Sequence, residues 1–256
     1  MKKAVLFGTA LFLAAGSASA AIVDYSHNDR DPAITLDGSL QTLFDSKVSD
    51  SSGNAYLDAT NDQSHAAYWA QTDGQSSASY LISMVSGSGV LGIYSIGNPG
   101  VEHTFDLGGI DKQANFSIAT TSGAGFDAGD LIVDGSTLVP NFGNLFGFFF
   151  DEDGDSSTTG DRFYTQDSEN GGDARALSYQ LDAGTNVDVA GFPGVATGLG
   201  TDDWILAFES SANFDQNDYL DGVFLIKDME VPAPATLALM GLGLLGLAYS
   251  SKRRKA

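Results

Sequence analysis

Two acidic stretches hold the residue types and spacing best suited to chemistry in this chain. The first, Asp151-Glu152-Asp153-Gly154-Asp155, follows the aromatic run Phe146-Gly147-Phe148-Phe149-Phe150. Carboxylates at alternate positions, with a glycine permitting a sharp turn, can aim several hard oxygen ligands at one calcium ion. The pattern departs from an EF-hand, since Ser156 stands at the sixth position and Arg162 at the twelfth. The second stretch gathers Asp215, Asn217, Asp218 and Asp221 just before Gly222 and the apolar run Val223 to Ile226. Asp151, Asp153, Asp155, Asp215, Asn217, Asp218 and Asp221 are therefore the expected metal ligands. A calcium ion there would be structural, neutralising local repulsion and ordering a loop. Solvated turns at strand ends account for the same residues equally well.

Catalytic patterns are scarce. His27, His65 and His103 stand far apart without the HExxH spacing, cysteine is absent, and there is no GxSxG elbow, P-loop or dinucleotide fingerprint. A glycoside hydrolase needs only two well-placed carboxylates, which 33 acidic residues could supply. The expectation is a non-enzymatic protein, with a carbohydrate-binding module as the alternative and a glycoside hydrolase behind it. For sugar binding the candidate platforms are Tyr68, Trp69 and Trp204, although Trp204 lies in an apolar run that suits a core.

The elements that must position these residues read as strands. Short apolar or alternating runs recur at 79–85, 90–96, 102–107, 115–120, 131–133, 145–150, 162–165, 175–181, 204–209 and 222–228, separated by Gly, Ser, Asn and Asp clusters. Their lengths and spacing predict an all-β, sandwich or jelly-roll-like exported domain. Leu40, Leu43, Phe44 and Val48 keep helical spacing and predict one short helix over 39–48. Residues 49–64 read as a long polar loop and 183–201 as an irregular connection.

The two ends read as addresses. Lys2 and Lys3, an apolar core from Ala4 to Ala15, and the small residues Ala18 and Ala20 before Ala21 describe a signal peptide cleaved after Ala20. At the other end Pro232 and Pro234 precede an uncharged run and then Lys252, Arg253, Arg254 and Lys255. A helix over about 235–251 would span ~25 Å, a short membrane crossing with its cations on the cytoplasmic side. The expected organisation is a signal peptide at 1–20, a polar segment at 21–78, a β-rich domain at 79–230 and a tail at 231–256. All 33 acidic residues lie between the two ends, against the cations Arg30, Lys47, Lys112, Arg162, Arg175 and Lys227. Such a body repels nucleic acid and anionic surfaces.

The tail, Val231-Pro232-Ala233-Pro234, then the Leu/Gly/Ala-rich run Leu237 to Leu247, then the cluster Lys252 to Lys255, resembles the PEP-CTERM sorting signal of bacterial exported proteins. Ala233 stands where that family usually has glutamate. The resemblance implies export across the inner membrane of a Gram-negative bacterium, recognition by exosortase, anchoring through the tail helix, and a place on the cell surface or in an exopolysaccharide matrix. The body from about Ser79 to Glu230 resembles the exported domain of unknown function 4114, on Leu91-Gly92-Ile93-Tyr94, Leu145 to Phe149, Phe163 to Asp167 and Trp204 to Glu209. That family implies no established activity.

Overall fold

The structure, a computed structural model, describes residues 34, 36–64, 66–70, 76–83, 89–105, 113–120, 129–153, 162–188, 196–210 and 218–229. In chain order these residues form α1 (Ser39–Lys47), β1 (Val48–Ser49), β2 (Trp69–Ala70), β3 (Ser76–Ser83), β4 (Val90–Ser95), β5 (Glu102–Thr104), β6 (Gln113–Thr120), β7 (Gly129–Val133) and β8 (Thr137–Val139). There follow β9 (Leu145–Asp151), β10 (Arg162–Tyr164), a 3₁₀ turn (Asp167–Asn170), β11 (Ala176–Gln180), β12 (Thr185–Val187), β13 (Ala196–Leu199), β14 (Trp204–Phe208) and β15 (Gly222–Lys227).

Three open sheets result. A seven-stranded sheet runs β11-β14-β15-β3-β6-β7-β8; a five-stranded sheet runs β10-β9-β4-β5, with β2 also on β9; and β1-β12-β13 form a small third sheet. Every pairing is antiparallel.

The period-2 alternation of strand side chains explains the layering. Trp204, Leu206 and Phe208 of β14, with Phe224 and Ile226 of β15, enter one core together with Phe146, Phe148 and Phe150 of β9 and Leu91 and Ile93 of β4. That core lies between the seven- and five-stranded sheets. The intervening residues Ile205, Ala207, Val223 and Leu225 point the other way, into a second core closed by Leu40, Leu43 and Phe44 of α1 and by Val48, Val187 and Leu199 of the small sheet. Strands buried on both faces read as continuous apolar runs, and Trp204-Ile205-Leu206-Ala207-Phe208 is one. The single sandwich expected from the sequence is thereby corrected to three open sheets sharing one doubly covered layer, with a helix on its far side.

α1 forms where Leu40, Leu43 and Phe44 recur on one face, and all three are buried. Its start is tied by Asp37, whose carboxylate accepts from the Ser39 backbone N–H at 2.7 Å and from the Ser39 hydroxyl at 3.0 Å. Lys47 in the last turn complements the helix dipole and pairs with Asp188 at 2.8 Å. The Phe44 ring meets Tyr179 edge-on at 4.9 Å.

Among the described residues no helix is long and apolar enough to cross a membrane. The spanning helix expected over 235–251 lies outside those residues; as no described helix can cross a membrane, the transmembrane expectation and the anchoring argued from it are withdrawn. The signal-peptide positions Ala18, Ala20 and Ala21 and the tail positions Val231 to Pro234 and Lys252 to Lys255 also lie outside the described residues.

Candidate functional site

The outer face of the five-stranded sheet carries the most developed site. Cross-strand register puts Glu102, Tyr94 and Gly147 in one row, Thr104, Gly92, Phe149 and Tyr164 in the next, and Val90, Asp151 and Arg162 in a third. Two of these positions need glycine. A methyl group on Gly92 would collide with the Phe149 ring, and one on Gly147 would come within 2.5 Å of the Tyr94 ring. Each aromatic side chain therefore lies down over the bare backbone of the neighbouring strand, as glycine inside a strand permits. Tyr164 completes the group, edge-on to Tyr94 at 5.2 Å and tilted on Phe149 at 5.6 Å.

Arg162 anchors one end of this face. Its Nε donates to Asp151 at 3.0 Å, its Nη1 pairs with Glu102, and its guanidinium lies 4.9 Å from the centre of the Phe149 ring. Burial opposes the charge, but the Asp151 hydrogen bond and the charge of Glu102 outweigh it and leave the Arg162 pKa above its ordinary value. Asp151 is completely buried. An ion pair in this setting depends on complete hydrogen bonding to offset desolvation.

A cleft of about 300 Å³ opens beside these rings, lined by Tyr94, Val101, Glu102, Tyr164, Gln166 and Glu169 among others. Two short segments hold its walls. In the β4–β5 turn the Asn98 N–H donates to the Ser95 hydroxyl at 2.9 Å and the Asn98 side chain donates to the Asn141 carbonyl at 2.9 Å. Opposite, the Asn170 side chain clamps the 3₁₀ turn onto β10: its Oδ1 accepts from the Tyr164 N–H at 2.8 Å, and its Nδ2 donates to the Tyr164 carbonyl at 2.7 Å. The Tyr94 hydroxyl donates to Gln166 Oε1 at 2.8 Å. Burial, with nearby Glu169 adding to it, pushes the Tyr94 hydroxyl well above its ordinary pKa; burial and then Glu102 raise Tyr164. Both hydroxyls stay protonated, able to donate and accept.

Among the described residues, four of the expected calcium ligands can be placed: Asp151, Asp153, Asp218 and Asp221. Asp151 is committed to Arg162, while Asp153, just past the end of that strand, is exposed. Asp221 accepts from the Ser210 N–H at 2.6 Å and the Ser210 hydroxyl at 2.8 Å, and Asp218 accepts from the Leu220 N–H at 3.2 Å, so both shape the turn before β15. Asp155, Asp215 and Asn217 lie outside the described residues, among which no group of three or more acidic or histidine side chains is placed to hold a metal. His103 is half-buried and edge-on to Phe105 at 6.2 Å; His27 and His65 lie outside the described residues.

The expected sugar platforms are corrected outright. Tyr68, Trp69 and Trp204 are all buried, and the two tryptophans meet edge-on at 5.7 Å inside the core between the large sheets. Sequence reasoning missed Tyr94 and Tyr164; glycine inside an otherwise aromatic strand, at Gly92 and Gly147, was the available signal.

The body is a β-rich scaffold with an aromatic, acid-lined cleft, and the chain's destination is defined by its tail. A family model described as the PEP-CTERM protein-sorting motif matches residues 230–254. The chain is thus an exported, PEP-CTERM-tagged protein of the cell envelope whose tail addresses it to exosortase. No curated protein and no solved structure matches it.

Proposed function

We propose that this protein is a non-catalytic component of the cell surface or exopolysaccharide matrix, delivered by its tail and acting through its β-rich body. The observation that carries this reading is the sorting motif at residues 230–254. The non-catalytic part draws support from how the acids are used: Asp151 and Glu102 are tied to Arg162, and Asp221 to Ser210. The resemblance of residues 79–230 to the exported domain of unknown function 4114 is part of the same proposal. Calcium, held by the acidic stretches at 151–155 and 215–221, is also part of it.

Mass spectrometry of both termini, from cells with and without exosortase, tests the reading. The expected result is a start at Ala21 and loss of the chain beyond Pro234 in surface or matrix fractions, dependent on exosortase. An uncleaved tail in both strains would overturn the sorting step. Melting curves in calcium and in chelator at fixed ionic strength test the metal: a higher melting temperature in calcium is expected, and identical curves remove calcium from the proposal.

A further inference from the structure

We propose that the outer face of the five-stranded sheet is a saccharide-binding cleft, in which one neutral sugar ring packs against Tyr164 and hydrogen-bonds to Gln166, Glu102 and Glu169. This deepens the envelope reading by naming the ligand class of its body.

The cleft has the composition that a polyhydroxylated ligand requires. Its volume of about 300 Å³ sits at the lower end of small-molecule sites, suiting one ring rather than an extended chain of them. Sugar hydroxyls both donate and accept. Carboxylates at Glu102 and Glu169 accept, the Gln166 amide donates, and the Tyr164 hydroxyl does either. The apolar C–H face of a sugar needs a flat ring, and Tyr164 supplies it in a fixed pose. Contacts with Tyr94 at 5.2 Å and Phe149 at 5.6 Å, and the Asn170 clamp on its backbone, set that pose before any ligand arrives.

Charge narrows the class. Glu102 is already compensated by Arg162, so it serves as a hydrogen-bond acceptor more than as a counter-ion for a cation. Glu169 is exposed and adds negative potential at the rim. Together with the strongly acidic composition of the body, this disfavours uronate-bearing or sulfated polysaccharides.

Affinity electrophoresis and calorimetry of the purified full-length protein, at physiological ionic strength, against neutral glucan and mannan oligosaccharides, a polyuronate and oligolysine test the proposal. Binding to a neutral oligosaccharide, with none to the polyuronate, is the expected result. Tyr164→Ala should weaken it at least about tenfold, as removal of an aromatic anchor does, and Glu169→Gln should weaken it less. Melting curves of both variants separate lost binding from lost folding, and Tyr164→Phe, which keeps the ring, should retain most of the affinity. Absence of binding to every neutral oligosaccharide, or affinity unchanged by Tyr164→Ala in a folded variant, would overturn the cleft. Binding to oligolysine alone would overturn it in favour of a basic peptide. Failure here leaves the exosortase-dependent processing untouched, and failure of that processing leaves the binding result standing, so the two readings fail separately.

Discussion

Replacing Arg162 by methionine is the sharpest probe of how the outer face is built. The Arg162 side chain is 2% exposed and its partner Asp151 is fully buried. Methionine keeps an unbranched apolar stem but removes the guanidinium that lies between Asp151, Glu102 and the Phe149 ring. Removing one member of a buried ion pair costs about 3–5 kcal/mol, because the remaining charge loses its compensation. For a domain of this size that corresponds to a fall in melting temperature of roughly 6–20 °C. The chain's two tryptophans, Trp69 and Trp204, both lie in the core between the large sheets, so urea unfolding followed by their fluorescence reads the change directly. The double variant Asp151→Leu, Arg162→Met should regain most of the loss, since an apolar pair of similar size is often as stable as the ions it replaces. A single variant within about 1 kcal/mol of wild type, or a double variant no better than the single, would refute the assignment of Arg162 as the counter-charge of Asp151.

Other outcomes follow from the same geometry. Gly147→Ala should destabilise by about 1–3 kcal/mol, because the added methyl overlaps the Tyr94 ring, and urea titration reads it. Phe44→Ala should cost about 3–5 kcal/mol in the same assay by opening a cavity under α1 and removing the contact with Tyr179. Asp221→Ala should cost about 1–3 kcal/mol through loss of the two Ser210 hydrogen bonds, whereas Asp221→Asn should recover part of that. Hydrogen bonds from Asn61 and Thr60 hold Asp58 below its ordinary 3.8, and hydrogen bonds from Asn54 do the same for Asp50. The folded pKa is depressed, so the stability they give is complete above the unfolded value, near pH 4, and is lost as pH falls through the folded value. An Asp50→Asn, Asp58→Asn double variant should therefore show a flatter loss of stability in acid titration.

The sequence made the larger strands legible and their packing much less so. Runs such as Val90 to Ile96 and Trp204 to Glu209 have counterparts in β4 and β14, because β-branched and aromatic residues between turn formers leave little alternative. The helix predicted over 39–48 is observed at Ser39–Lys47. The connection over 183–201 was read as irregular, yet it contains β12 and β13: these strands are short, and Val187 and Leu199 are their buried apolar residues. Trp69 was misjudged because its burial comes from pairing with Phe146, far along the chain, which no local pattern reveals. The cleft was illegible for the same reason. Tyr94, Glu102, Tyr164 and Glu169 come from three strands and a turn that only the sheet register brings together. Of the acidic runs, conspicuous in sequence, Asp151 holds a buried arginine and Asp218 and Asp221 hold the turn before β15.

The position of β15 bears on export. This strand, at the C-terminal end of the body, inserts between β14 and β3 in the middle of the seven-stranded sheet and feeds side chains into both cores. Its partner β3 was synthesised far earlier, so the pairing is of high contact order and slow to form. Until Gly222 to Lys227 arrive, β14 and β3 lack the strand that joins them, and both cores lack the side chains that β15 supplies. For a chain exported amino end first, the strand that completes the seven-stranded sheet is therefore the last part of the body to arrive.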